Sequence, residues 1–139
     1  MNKIYSKIED KLLHMVYRKD DFEEGRTQLV NNDNFIQCSF LRLEEGHTFR
    51  PHQHIWKDSS FTTVIAQESW VVIKGSVKVF FFDTDGELLE SYILEAGDSS
   101  FTLEGGHTYE ILQDNTLVYE YKTGPYTGQK NDKVFLEDD

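Results

Sequence analysis

The chain has 139 residues, of which 38% are hydrophobic, 14% aromatic and only two proline, a composition that excludes a disordered protein and suits one domain burying roughly two thirds of its unfolded surface. Acidic residues number 25 against 14 basic, and the net charge of −11 repels phosphate backbones and anionic lipid, so neither nucleic acid nor a membrane is an expected partner. The lone Cys38 excludes an intrachain disulfide and reads as a small buried apolar residue, and the N-terminus MNKIYSKIEDKLLHMVYRKDD has no apolar block of signal-peptide or membrane length, which points to a cytoplasmic protein.

Residues 1–34 read as a cover segment, helical or irregular. Ile4, Ile8, Leu12, Met15 and Val16 fall near helical spacing, while Leu13 and His14 interrupt the stripe and leave His14 on the segment's expected surface. EGRTQLVNNDNF reads as a polar connection. From Phe35 the pattern changes to short runs rich in β-branched and aromatic residues: FIQCSFLRL, SWVVIKG, SVKVFFF, ELLESYIL, DSSFTL, HTYEILQ and TLVYEYK. These predict strands. Turn-forming pairs separate them about every ten residues, a spacing that suits an antiparallel sandwich or barrel over residues 35–122. FFFDTDGELLESY is the clearest hairpin, because Gly86 can supply the positive φ of a tight turn. The tail, residues 123–139, is charged but carries Val134, Phe135 and Leu136. Left in water these would favour a homodimer.

The stretch GHTFRPHQHIW, Gly46 to Trp56, holds three of the five histidines. In a strand His52 and His54 would share a face with Cα atoms about 6.5 Å apart, a span two imidazoles can close around one ion, whereas His47 would point the other way. A His-x-His pair alone fits a metal site and a polar surface equally. If the strand continues through Pro51 without a bulge, Arg50 and Trp56 lie on the His52 face; Arg50 could clamp an anionic group or pair with a surface acid. Farther on, Trp70 and Val72 share parity with Glu68, and Tyr109 with His107, which suits core packing as well as ligand stacking. No Gly-x-Ser-x-Gly or Gly-rich phosphate loop occurs.

Together, Gly46, His52, His54, Glu68 and Gly75, followed by Gly97, Asp98, Gly105 and His107, resemble the two motifs of the cupin superfamily. There are departures. Thirteen residues separate His54 from Glu68 where the family has three or four, Leu103 stands in place of the turn proline, the Gly97–His107 stretch is one residue short, and Ile111 replaces an Asn. Asp58 lies at the ordinary short spacing and rivals Glu68 as the acid. The resemblance implies an all-β, single-domain jelly-roll barrel, with IWKDSSFTTVIAQ as a loop near its mouth. It also implies one divalent transition metal (Fe, Mn, Ni, Zn or Cu) held by His52, His54, Glu68 and His107. Arg50, Trp56, Trp70 and Tyr109 would then face a small-molecule ligand. The activities it suggests are binding, and isomerase- or epimerase-like conversion, of a small polar metabolite such as a sugar derivative, in the manner of small cupins of surface-polysaccharide and nucleotide-sugar metabolism. Iron-dependent dioxygenation and non-catalytic ligand sensing are the alternatives, and no catalytic residue is implied.

Overall fold

The computed structural model describes residues 1–56, 63–124 and 128–136. Ten strands form: β1 (Asn2–Tyr5), β2 (Leu12–Tyr17), β3 (Gly25–Gln28), β4 (Ser39–Arg42), β5 (Glu68–Lys74), β6 (Ser76–Phe82), β7 (Leu88–Glu95), β8 (Ser99–Thr102), β9 (Gly106–Ile111) and β10 (Leu117–Lys122). They pair antiparallel in three sheets, ordered β1-β2-β8-β5-β10, β7-β6-β9 and β3-β4. Each of the seven expected runs contributes a strand, β4 to β10 in order. The predicted hairpin joins β6 to β7, with Gly86 at φ +90° and its N–H on the Asp83 carbonyl at 3.0 Å.

Two N-terminal expectations are corrected. Residues 3–18 are not a helix, nor a loose cover: β2 is an interior strand between β1 and β8. All of Leu13–Tyr17 is buried, with Leu13, Met15 and Tyr17 on one side and His14 and Val16 on the other. A strand buried on both faces loses the alternation that would have marked it. The segment EGRTQLVNNDNF supplies β3, paired with β4, and places Leu29 and Val30 in the core.

The five-stranded sheet has a core on each side. On its outer face Met15, Tyr17, Phe101 and Leu103 pack against Phe22, Leu29, Val30 and Ile36, with Cys38 and Phe40 at the margin. The inner face sets Ile4, Val16 and Val72 against Val77, Val79, Phe81 and Leu94 of the three-stranded sheet. The architecture is therefore sheet on sheet, and no closed barrel forms among the described residues. Each wholly buried large side chain, such as Phe81 or Phe101, contributes about 1.5–3 kcal/mol by leaving water.

Two buried carboxylates tie connections to this frame. Asp83 accepts hydrogen bonds from Ser6 Oγ (2.6 Å) and the N–H groups of Lys7 and Thr84 (2.8 Å each), which pins the turn after β1 to the β6–β7 hairpin. Asp98 receives Arg18 at 2.8 Å and the Glu95 N–H at 2.9 Å, fixing the end of β2 to the β7–β8 turn. In the tail Lys122 pairs with Asp132 at 3.4 Å and Leu136 lies over Gly106, although Val134 stays 86% exposed. No helix among the described residues is long and apolar enough to cross a membrane.

Candidate functional site

The inter-sheet space is apolar at one end and polar at the other. In the five-stranded sheet His14, Thr102, Glu68 and Lys122 stand in one row across β2, β8, β5 and β10, and Val16, Ser100, Trp70 and Glu120 form the next. Opposite them, β9 pairs with β6 so that His107 lies beside Phe81 and Tyr109 beside Val79. Alternation then makes the two strands meet twice. Glu68 Oε2 reaches His107 Nε2 at 2.8 Å, and Trp70 stacks on Tyr109 with ring centroids 3.6 Å apart and planes 3° from parallel.

The pair is largely withdrawn from water, with side-chain exposures of 11% for Glu68 and 25% for His107. Burial alone pushes the Glu68 carboxyl up, but the hydrogen bond and charge of His107, joined by neighbouring Glu120 and Lys122, outweigh it and hold the group below the ordinary carboxylate range. Glu68 is thus an ionised acceptor. Burial pushes the Tyr109 hydroxyl far up, and the charges of Glu68 and Glu120 add to the rise, so this phenol stays protonated. Ser100 Oγ is buried near it but reaches no hydrogen-bond geometry. The Trp70 indole N–H donates to Glu120 Oε1 at 3.0 Å, which fixes the stacked plane.

Behind the pair lies a histidine that sequence reasoning placed on the surface. His14 is fully buried, stacks on Phe81 at 4.5 Å, and bonds Thr102 Oγ1 through Nδ1 (3.0 Å) and the Phe82 carbonyl through Nε2 (3.1 Å). Burial lowers its pKa to about 4, so the ring is neutral near pH 7. Thr102 Oγ1 also meets His107 Nδ1 at 2.9 Å. A signal for the burial was present, since LLHMVY is six residues without a charged residue. Gly105, one of the glycines that precede His107, sits at φ +88°, and a Cβ there would meet the Phe82 carbonyl oxygen at 2.6 Å and His14 Nε2 at 3.1 Å. Glycine is required by both the backbone and the space.

The remaining expected residues lie elsewhere. His47 closes a turn, its N–H donating to the Glu44 carbonyl at 3.2 Å. His52 and His54 are exposed on an irregular segment, with ring centroids 5.5 Å apart, and His52 Nδ1 donates to the Arg50 carbonyl at 2.9 Å. Arg50 is exposed and Trp56 fully so. Asp58 and much of the IWKDSSFTTVIAQ loop fall outside the described residues. The four expected metal ligands thus stand as two pairs, and among the described residues no three His, Cys, Asp or Glu side chains are gathered closely enough to hold an ion. Comparison with family models, with curated proteins and with solved structures returned no match.

Proposed function

We propose that this protein is a cupin-like jelly roll that binds a small polar ligand, a sugar or sugar derivative, at the open edge between β5 and β9. The observation that carries the reading is the double contact across that edge: an ionised Glu68 on His107 beside a flat Trp70–Tyr109 stack. A carboxylate and an imidazole offer an acceptor and a donor to hydroxyl groups, and an aromatic plane suits the C–H face of a sugar ring. If conversion follows binding, Glu68 is the proton acceptor, because Tyr109 is held protonated. The test uses Trp56→Phe, which leaves Trp70 as the only tryptophan. Neutral sugars, sugar acids and sugar nucleotides should include one that changes Trp70 fluorescence saturably, and Glu68→Gln should weaken it about tenfold, the equivalent of ~1.4 kcal/mol. No response across all three classes, or equal affinity in Glu68→Gln, overturns the reading.

A divalent metal centre is the second reading, favoured by the donor chemistry. His52 Nδ1 is engaged by a backbone carbonyl, which leaves Nε2 as a lone-pair donor, and second-shell bonds of this kind orient metal-ligating histidines. As arranged, the four donors do not make one centre. Bound metal would supply Lewis-acid polarisation of a ligand oxygen. Elemental analysis after dialysis against Zn²⁺, Mn²⁺ or Fe²⁺ should show stoichiometric retention, lost in both His52→Ala and His107→Ala and kept in His47→Ala; loss in neither of the first two removes this reading. Self-association is proposed with it, through the exposed Tyr119, Tyr121 and Leu117 of β10 and Val134 and Phe135 of the tail. Light scattering at the mass of one chain would exclude it.

A further inference from the structure

Leu136 occupies the space into which a side chain on Gly106 would project. A Cβ added at Gly106 would lie 2.6 Å from Leu136 Cδ1 and 3.6 Å from its Cγ, and one added at Gly86 would lie 4.0 Å from Leu136 Cδ2. Gly106 is not among the glycines with positive φ, so its backbone suits any residue. What requires glycine there is the room taken by Leu136, and by Phe82 Cβ at 3.2 Å. At its other end the same segment is held to β10. Asp132 pairs with Lys122 at 3.4 Å, and the short 3₁₀ turn Gln129–Asn131 is closed onto it by the Lys133 N–H, which donates to the Gln129 carbonyl at 3.2 Å. The two anchors stand on opposite lips of the candidate site. Lys122 is the register partner of Glu68, Gly106 directly precedes His107 on β9, and Glu68 meets His107 at 2.8 Å. Asp132 to Leu136 is four residues, about 14 Å of extended chain at most, so residues 133–135 cross from one sheet to the other at the end of the inter-sheet space where that pair lies.

We propose that residues 128–136 form a strap that closes over the Glu68–His107 edge and must lift for a ligand to enter or leave, with Gly106 as the socket for Leu136. Its meaning as a gate rests on the ligand-binding role given to that edge above, while the closure itself does not. The hold is one that can be released. A partly exposed ion pair such as Asp132–Lys122 adds little, Leu136 is 45% exposed, and Val134 and Phe135 between the anchors are 86% and 48% exposed. So few buried apolar contacts mark a segment that opens locally while the sheets beneath it stay folded.

The test is the rate at which diethyl pyrocarbonate modifies each histidine of the ligand-free protein, located by peptide mass spectrometry. His107 should react through strap opening, while buried His14 stays unmodified and exposed His47, His52 and His54 react equally in every variant, a check that the fold is kept. Leu136→Ala should raise the His107 rate about fivefold, the equivalent of ~1 kcal/mol in opening, and Asp132→Asn should raise it by a smaller factor. Gly106→Ala should match Leu136→Ala, and the double variant should be no faster than either, because both remove one contact. If Gly106→Ala exposes His14 and so has lost the fold, Leu136→Ala decides alone. An unchanged His107 rate in Leu136→Ala, or rate increases that multiply in a folded double variant, overturns the proposal. For a sugar that alters Trp70 fluorescence, Leu136→Ala should speed association by a similar factor, and an unchanged association rate overturns the gating. Should no sugar bind while the His107 rates change as described, the proposed function fails and the closure stands.

Discussion

Leu13, Met15 and Tyr17 leave β2 on one side of the five-stranded sheet and His14 and Val16 leave it on the other; in β8, Phe101 on one side and Ser100 and Thr102 on the other divide in the same way. Backbone, strand order and depth of burial are shared by the two faces, yet the outer one is an apolar core sealed by Phe22, Leu29, Val30 and Ile36, and the inner one becomes polar toward the Glu68–His107 edge. The difference teaches how chemistry is placed in a sheet. Both faces bury apolar side chains, and the inner one adds directed hydrogen bonds where the packed sheets meet water.

The strongest break in this comparison is Phe101→Ala. It should lower unfolding free energy by about 3–5 kcal/mol in denaturant titration, and because the outer face carries no ligand group, whatever protein remains folded should keep the ligand response of Trp70 fluorescence. Acid should act on the inner face instead. The folded pKa of His14 is depressed to about 4, below the unfolded value, so its contribution is fully present above about pH 6.5 and is lost as pH falls from there toward 4. The loss should be on the order of 3 kcal/mol, seen as a decline in melting temperature that His14→Phe flattens. Glu68 and Asp83, both held below the ordinary carboxylate range despite burial, add their losses at still lower pH.

Gly105→Ala probes the seam between the two behaviours. The left-handed backbone alone should cost about 1–2 kcal/mol, and the displaced Phe82 carbonyl should release His14, so hydrogen exchange near Thr102 should accelerate while that around Met15 does not. The smallest effect is expected from Ser100→Ala. Its Oγ has no hydrogen-bond partner, so removing it should change stability by less than about 0.5 kcal/mol or raise it slightly; a loss of several kcal/mol would mean that the hydroxyl bonds Tyr109 and that the inner face is tighter than described.

Features set by neighbouring residues are legible in the sequence. Runs such as SVKVFFF and ELLESYIL carry strand propensity and alternation together, and Asp85-Gly86 marks its own turn, so β4 to β10 and the β6–β7 hairpin were legible. β1 and β2 were not, because LLHMVY is buried on both faces and shows no period, and the helical spacing of Ile4, Ile8 and Leu12 is a coincidence across a strand, a turn and a strand. β3 was hidden by its polar sequence GRTQ, which pairs at an exposed position. The same logic divides the site: Trp70 was placed on the Glu68 face and Tyr109 on the His107 face by parity, and the structure stacks one on the other.

The sequence by itself determined which residues share a strand face, where the chain turns, and that histidines and acids recur between glycines. Those properties depend on alternation and on the φ preferences of single residues, which act over a few positions. Only the tertiary structure decided that Glu68 meets His107, that His14 stands behind both, and that His52 and His54 lie apart from them. Such meetings are set by sheet order and by the packing of one sheet on another, in which residues distant along the chain are joined by the burial of Val72, Val77, Val79 and Phe81 between them.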